Sequence, residues 1–435
     1  MARMTRIFKQ IALAVIVALG GAVLVGAVLG SEENTASSES AASTSAESLV
    51  AQITCDYPDD LDTLEPVPGA KITELYHADG TTPDDFGAYS HHPHVVYHAG
   101  ILYAAWSNHL RDEDASGQRV FYRSSRDFGE TWNPPIGEPP AILFPSLDRW
   151  RYANEPWSLD HRTGTSNGFA IVEGALFAIN EVLPSIDCQM GGVGRLARRI
   201  LDDGTPGEIF WLEEKAPSLP DGFGPYPDLS DPEFALIGQK INQYLHDPAR
   251  RHLLSWDFHG ARNTSTELEA GNAGSPPDHH RLCEPSTSVE TPAGTLLQFW
   301  RDLGILDREE ETQSGRLYIA VSFDAKTWSV PIRSSIRNAC SRPCALNLPD
   351  GRIALINNPV NRQHLTLSLS TDGVTFGDHK LLRRIDTDCR FEGRYKGGYA
   401  AAYQHACCCG DFLFVLYSVN KEDVEMVKIP LASLK

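Results

Sequence analysis

The chain repeats a pattern in which a turn, usually containing glycine, is followed by a short apolar segment. Copies of the pattern cover residues 99–107, 173–180, 293–302, 350–358 and 409–418, with a weaker copy at 249–257. Because most copies follow another apolar stretch, each predicts a β-hairpin. Six hairpins at this spacing predict small antiparallel sheets repeated around an axis. The expected fold is therefore all-β, a six-bladed β-propeller.

A second pattern places Ser and Asp before a turn that ends in Thr and an aromatic residue. It occurs in "SSRDFGETW" at 124–132, "SFDAKTW" at 322–328 and "STDGVTF" at 370–376. Asp and Ser side chains can bond the backbone of their own turn, while the aromatic ring packs inward. Asp127, Asp324 and Asp372 are therefore expected to be structural.

The N-terminal region differs in composition from the rest of the chain. The expected division is a basic flank at 1–10, an uncharged segment at 11–30, a Ser/Ala/Glu spacer at 31–52 and the propeller at 53–435. The uncharged segment is long enough to span a bilayer, and its basic flank predicts export of residues 31–435. An uncleaved membrane anchor is favoured over a cleaved signal peptide. The spacer composition predicts disorder.

The net charge argues against nucleic-acid binding, and the spacing of the cysteines argues against a zinc site. The formal net charge of -19 and the absence of a basic stripe argue against a nucleic-acid partner. An anionic substrate would need local cations. Cys340 and Cys344 are close enough in sequence to close a short loop, whereas "CCCG" at 407–410 lacks zinc-site spacing. No metal or other cofactor is expected.

The first Ser/Asp motif matches S-x-D-x-G-x-T-W in full, and the chain here resembles the Asp-box (BNR-repeat) propellers of the sialidase superfamily. In that family the motif lies on the turn that joins the last two strands of a blade. The resemblance implies an exo-glycosidase that hydrolyses a terminal sugar from extracellular glycans. The motif alone does not specify an activity.

The resemblance also implies catalytic roles, because several residues follow the family's order along the chain. Asp114, with Glu113 as second choice, corresponds to the acid/base in the loop after the second strand. Tyr399 corresponds to the nucleophile and Glu284 to its base, with Tyr403 next in line for Tyr399. A carboxylate that takes the phenol proton lets tyrosine attack without forming free phenolate.

Cations that hold the sugar follow the same order, with one departure. Arg301 and Arg362 correspond to two of the family's three clamp arginines, but His91 in "SHHPHVV" stands where the first is expected. A neutral imidazole cannot replace a bidentate guanidinium, so weak activity on sialic acid is predicted. Strand alternation would send His91, His92 and His94 to both faces, which argues against a metal site.

Two other functions remain open from the sequence. A lyase on uronate-containing polysaccharides would use His92 and Tyr399 as base and acid. A non-catalytic glycan- or protein-binding propeller would tolerate loss of the tyrosine hydroxyl. The sequence also predicts two local structures. Residues 232–247 have the periodicity of a helix, and residues 421–423 are expected to form a solvated hairpin tip.

Overall fold

A computed structural model describes most of the chain after the N-terminal segment. The described residues are 45–82, 85–147, 162–184, 194–216, 226–247, 282–302, 315–397 and 400–434. The apolar segment at 11–30, the weak hairpin copy at 249–257 and Tyr399 lie outside them. No described helix has the length and hydrophobicity needed to cross a bilayer.

Most of the regular secondary structure in the described residues consists of short strands that pair antiparallel. The elements in chain order are helix α1 (45–52), β1 (Thr54–Cys55), a 3-10 turn (Leu61–Thr63), β2 (Lys71–Tyr76), β3 (Tyr89–His98), β4 (Ile101–His109), β5 (Arg119–Ser125), β6 (Ala141–Phe144), β7 (Arg162–Val172), β8 (Ala175–Pro184), β9 (Gly194–Ile200), β10 (Pro206–Trp211), helix α2 (Pro232–Leu245), β11 (Leu282–Cys283), β12 (Val289–Glu290), β13 (Leu296–Asp302), β14 (Arg316–Ser322), β15 (Ile332–Arg337), β16 (Cys344–Asn347), β17 (Ile353–Asn357), β18 (His364–Ser370), β19 (Thr375–Arg384), β20 (Ala401–Cys409), β21 (Phe412–Val419), β22 (Asp423–Pro430) and a 3-10 turn (Leu431–Leu434). The all-β class is confirmed.

The strands form five sheets within the described residues. The sheets are the meanders β3–β6, β7–β10, β12–β15 with β11 on β13, β16–β19 with β1, and β20–β22 with β2. β2 lies early in the chain and pairs with β22 near its end, which joins the two ends of this region in one sheet. The predicted count of six blades stays a prediction, because the weak sixth copy falls outside the described residues.

The five clear hairpin copies are confirmed, since each apolar segment forms the second strand of its sheet, namely β4, β8, β13, β17 and β21. These strands are almost wholly buried. The core lies between neighbouring sheets: Trp106 and Phe121 of one sheet pack with Phe414 and Leu416 of another. A strand covered on both faces is apolar throughout, which explains why the pattern was readable.

The Asp-box turns are also confirmed as structural. All three join the third and fourth strands of their sheets. Asp127 accepts hydrogen bonds from the Thr131 backbone N–H at 2.8 Å and the Thr131 hydroxyl at 2.6 Å. Trp132 is buried in the core. The motif thus ties a turn to the sheet beneath it.

Helix α2 confirms the helical periodicity, and its buried Ile241 and Leu245 pack on the sheet β7–β10. Helix α1 begins inside the segment that the sequence suggested as a spacer, with Ala46 and Val50 buried. The last residues of that segment are therefore structured. Cys340 and Cys344 are free thiols, so the short disulfide loop does not form.

Candidate functional site

Three neighbouring first strands, β3, β7 and β20, each contain a β-bulge near the same end. Positive φ angles mark the bulges at His92 (52°), Gly168 (91°) and Tyr403 (60°). A non-glycine residue in this region is strained, and such strain clusters at functional sites. The bulges turn consecutive polar side chains toward one buried cluster.

The centre of this cluster is Tyr403, whose hydroxyl donates to Glu284 Oε1 at 3.0 Å. Arg301 Nη1 donates to the Tyr403 hydroxyl at 2.5 Å and also bonds Glu284 Oε2. All three residues are at most 5% exposed. Glu284 and Arg301 meet because Cys283 pairs with Arg301 in the β11–β13 ladder. The sequence order placed these two residues together correctly.

Two more arginines approach the same tyrosine ring. The guanidinium carbons of Arg362 and Arg342 lie 5.6 and 5.9 Å from the ring centroid of Tyr403. Neither forms an ion pair with a described carboxylate. Arg342 is fully buried, donates to the Gln404 carbonyl at 3.2 Å, and has no described partner for Nε and Nη1. Sequence reasoning missed Arg342, because it lies in an ordinary loop before β16.

The predicted separation of the histidines is wrong for His91 and His92. The bulge in β3 breaks strand alternation, so their rings lie side by side with centroids 4.7 Å apart. The His91 ring centroid is 4.0 Å from that of Tyr403. His94, beyond the bulge, instead faces His405 with a centroid distance of 5.1 Å.

The acidic loop between β4 and β5 folds into this cluster. Glu113 forms a buried ion pair with Lys421, and its Oε1 lies 3.4 Å from His92 Nε2. Lys421 and Glu422 are 9% and 1% exposed, so the prediction of a solvated hairpin tip is wrong. The Lys421 carbonyl accepts from the Ser90 backbone N–H at 2.8 Å, which attaches the tip to β3.

Asp114 is 1% exposed and has a φ of 51°. Its backbone N–H donates to the Gln118 side chain at 3.1 Å. Gln118 in turn donates to the Gly164 carbonyl at 2.8 Å and the Thr165 hydroxyl at 3.0 Å. The acidic loop is thereby tied to β7. It is a fixed element and not a solvated turn.

Burial and charge set the protonation states of the cluster. Burial raises the pKa of Tyr403 well above its usual value, although Arg301 acts in the opposite direction. Burial also opposes ionisation of Glu113, but Lys421 and His92 outweigh it and lower the Glu113 pKa to about 2. Burial, followed by the charge of Lys421, lowers the pKa of His91. Near neutral pH, Tyr403 is a phenol, Glu113 a carboxylate and His91 a neutral imidazole.

The structure thus brings together seven of the predicted site residues: His91, His92, Glu113, Glu284, Arg301, Arg362 and Tyr403. Asp114 lies in the same buried loop as Glu113. Tyr399 lies outside the described residues, and the tyrosine in contact with Glu284 is Tyr403. A phenol that donates to a carboxylate while accepting from a guanidinium can transfer its proton and keep its developing charge neutralised.

Comparison with known proteins finds one matching domain family and solved structures with a similar fold. Residues 244–406 match the BNR repeat-like domain family. A solved structure described as a sialidase is 22% identical, with coverage of 85% of this chain and 33% of that chain and a TM-score of 0.61. This chain thus spans about a third of its length. None of the curated proteins compared matches the sequence.

Lower similarity extends to other glycosidases. The NanB sialidase from Streptococcus pneumoniae is 11% identical, with coverage of 82% of this chain and 70% of that chain and a TM-score of 0.48. An α-L-arabinanase from Penicillium chrysogenum is 14% identical, with coverage of 84% and 99% and a TM-score of 0.44. The match of residues 244–406 to the BNR repeat-like domain family and the likeness to one solved sialidase together show a sialidase-like fold.

Proposed function

We propose that the chain is a sialidase-like exo-glycosidase that removes a terminal sugar from glycans with Tyr403 as its nucleophile. The observation that carries the proposal is the buried contact of the Tyr403 hydroxyl with Glu284 and Arg301. Solvent-excluded donors and acceptors around a reactive oxygen are what covalent catalysis by a weak nucleophile requires. Tyr403 takes the role that the resemblance to the sialidase superfamily implied for Tyr399.

In the first step the Tyr403 oxygen attacks the anomeric carbon and its proton passes to Glu284 Oε1. The glycosidic C–O bond breaks, and the leaving oxygen takes its proton from Asp114. In the second step Asp114 deprotonates a water, whose oxygen attacks the same carbon. The bond between that carbon and the Tyr403 oxygen breaks, and the released Tyr403 oxygen regains its proton from Glu284. Two displacements at one carbon retain the anomeric configuration.

Asp114 suits the acid/base role better than Glu113. Lys421 and His92 hold the Glu113 pKa at about 2, so Glu113 has no proton to give near neutral pH. Glu113 instead fixes the Lys421 and His92 side chains that surround the site. The two carboxylates of the loop thus have different tasks.

Charge in the cluster favours a sugar with an anionic group. Arg342 and Arg362 face Tyr403 and have no carboxylate partner among the described residues. Arg342 is fully buried, and a buried cation is stabilised by an anion, here one carried by the ligand. Because His91 is uncharged near neutral pH, a sialic acid carboxylate would gain less binding free energy here than in a site with three arginines. A uronic acid is the alternative sugar.

One observation favours a second candidate, a uronate lyase. His91 is a buried neutral imidazole beside Tyr403, a pair that can remove and donate protons in β-elimination. The lyase of the sequence prediction used His92 and Tyr399 for the same tasks. A lyase leaves an unsaturated product that absorbs in the near ultraviolet, whereas hydrolysis does not.

The test is a panel of aryl glycosides and uronate polysaccharides incubated with the purified full-length chain. We expect glycoside hydrolysis that falls at least about a hundredfold in Tyr403→Phe. The matched control is Tyr417→Phe, because Tyr417 is also buried and donates to a carboxylate, Glu425, at 2.7 Å. Both substitutions remove one hydroxyl, so both lower stability by about 1 kcal/mol, but only the first should stop turnover.

Three outcomes would contradict the proposal. Full activity in Tyr403→Phe moves the nucleophile elsewhere, and Tyr399→Phe is then the next variant. A product with near-ultraviolet absorbance identifies the lyase. Binding of a panel ligand without any turnover identifies a non-catalytic glycan-binding propeller.

We further propose that the enzyme acts outside the cytoplasm on extracellular glycans, attached to a membrane or secreted. The support is the uncharged segment at 11–30 behind a basic flank. N-terminal sequencing of the mature protein tests this: a mature end beyond residue 30 excludes the anchor.

A further inference from the structure

The β3 bulge creates a set of potential metal ligands that the proposed glycosidase chemistry does not need. His91, His92 and Glu113 each offer one ligand atom, and the three atoms lie within 4.8 Å of one another. All three residues are at most 5% exposed. Two imidazoles and a carboxylate from a rigid strand and a tethered loop form a buried N₂O donor set.

The hydrogen bonds of His91 leave a lone pair available. Its Nδ1 lies 2.6 Å from the Ser418 hydroxyl oxygen, and that hydroxyl donates to the Ala402 carbonyl at 3.3 Å. Nδ1 is then the protonated nitrogen, and Nε2 carries a lone pair. Nε2 is buried and has no hydrogen-bond partner among the described residues. A buried nitrogen lone pair without a hydrogen bond destabilises the folded protein unless a ligand or ion binds it.

His92 is oriented in the same way. Its Nδ1 lies 3.3 Å from the Ser107 hydroxyl, while its Nε2 faces Glu113 Oε1 at 3.4 Å. Lys421 holds the other carboxylate oxygen of Glu113. Metal-binding histidines typically have their second nitrogen fixed by an outer partner, and metal-binding carboxylates are likewise hydrogen-bonded. Both Ser hydroxyls and Lys421 provide that outer layer.

We propose that His91 Nε2, His92 Nε2 and Glu113 Oε1 bind one divalent transition-metal ion, with Zn²⁺ as the best fit. A His₂Glu set is a known zinc donor set, and it leaves a fourth tetrahedral position for water or a ligand oxygen. First-row transition metals favour imidazole, whereas Mg²⁺ and Ca²⁺ prefer oxygen ligands. The ion would place positive charge beside Tyr403, at the position where a permanent cation is missing from β3.

Lys421 opposes this binding, because its ammonium group contacts Glu113 and repels a dication. Like charges a few ångströms apart repel each other strongly even at an effective dielectric constant of about 20. Replacing Lys421 by methionine keeps the aliphatic stem and removes the charge. We expect Lys421→Met to bind Zn²⁺ at least about tenfold more tightly than the wild type.

The test is calorimetric titration of chelator-treated full-length protein with Zn²⁺. The wild type should bind one ion per chain, and His91→Gln and His92→Gln should each weaken binding at least about tenfold. His77→Gln is the control, because His77 belongs to an exposed Glu74–His77–Asp423 group that could also attract metal. This variant should bind like the wild type.

The proposal would be overturned if the wild type did not bind Zn²⁺. It would also be overturned if both His91→Gln and His92→Gln bound Zn²⁺ as tightly as the wild type, or if His77→Gln lost Zn²⁺ binding. X-ray absorption of the wild-type zinc complex covers the case in which a variant fails to fold. It should show two imidazole ligands, and a shell of oxygen ligands alone would overturn the assignment. These measurements do not involve turnover, so their results are independent of the glycosidase proposal.

Discussion

At the scale of single residues, a tyrosine becomes a nucleophile only through its neighbours. Tyr403 and Tyr417 are both buried, and both donate to a carboxylate that an arginine also contacts. Tyr403 differs because two further arginines, Arg342 and Arg362, face its ring. Those cations can stabilise a phenolate-like oxygen as the proton leaves. The chemistry therefore follows from the whole set of contacts, not from the residue type.

Another single residue, His109, should make stability depend on pH. Its Nδ1 accepts from the backbone N–H groups of Arg111 and Asp112 at 3.2 and 2.9 Å. Protonation would break both bonds, and burial lowers the pKa of His109 to about 4. Because the folded pKa lies below the unfolded value of about 6.5, the contribution to stability is complete above pH 6.5 and is lost as pH falls toward 4.

The measurement is urea unfolding of the wild type and His109→Asn between pH 8 and pH 4. We expect the wild-type free energy of unfolding to fall across the window from about 6.5 to 4. The variant should show a slope smaller by up to about 1.4 kcal/mol per pH unit. The value at pH 8 gives the packing cost of the substitution separately. Equal slopes would mean that His109 takes up a proton in the folded state as easily as in the unfolded one.

At the scale of elements, the bulges explain both the success and the failure of the site prediction. The predicted proximity of Glu284 and Arg301 is correct, because Arg301 pairs in the β11–β13 ladder with Cys283, the residue before Glu284. The identity of the tyrosine and the arrangement of His91 and His92 depend on a single inserted residue in β20 and β3. A one-residue shift changes which side chains face the site. Sequence alternation cannot locate such an insertion.

Hairpin tips were the second source of error. The turn at 421–423 is polar and looks solvated, yet the Asn420 and Lys421 φ angles of 54° and 56° direct it inward. Glu422 accepts from the Phe391 backbone N–H at 2.8 Å and thereby holds a neighbouring loop. The polar composition of this segment predicted the turn correctly but not its burial. Its burial depends on contacts with strands and loops that are distant in sequence.

The Asp-box turn yields a prediction at this scale. Asp372 is exposed, but its carboxylate accepts from the Val374 and Thr375 backbone N–H groups at 2.7 Å and from the Ser370 hydroxyl at 2.9 Å. Asp372→Ala should therefore destabilise the protein by about 1–2 kcal/mol in urea unfolding, more than is usual for a surface residue.

Asp411→Ala is the matched control, because Asp411 lies in another exposed turn and its side chain makes no hydrogen bond with a described residue. Its effect should stay within about 0.5 kcal/mol. Equal effects of the two substitutions would show that the Asp-box bonds add nothing measurable to the sheet.

At the scale of the whole molecule, the fold was more predictable than the site. Glycine turns followed by apolar strands are local signals, and both faces of each inner strand are covered by neighbouring sheets. Every clear copy of that signal formed the expected strand. The pairing of β2 with β22 was not readable, because β2 has half-exposed positions and no glycine turn before its partner. Long-range pairing depends on the assembled sheets.

The central claim is that Tyr403 attacks the sugar, and the most direct test is to trap the attack. The substrate found in the panel would be remade as a fluorinated analogue whose glycosyl-enzyme intermediate breaks down slowly. Peptide mass spectrometry after proteolysis then locates the attached sugar. We predict one sugar per chain on Tyr403, and none in Tyr403→Phe. A sugar attached to Tyr399, Asp114 or Glu113, or none during demonstrated turnover, would contradict the account.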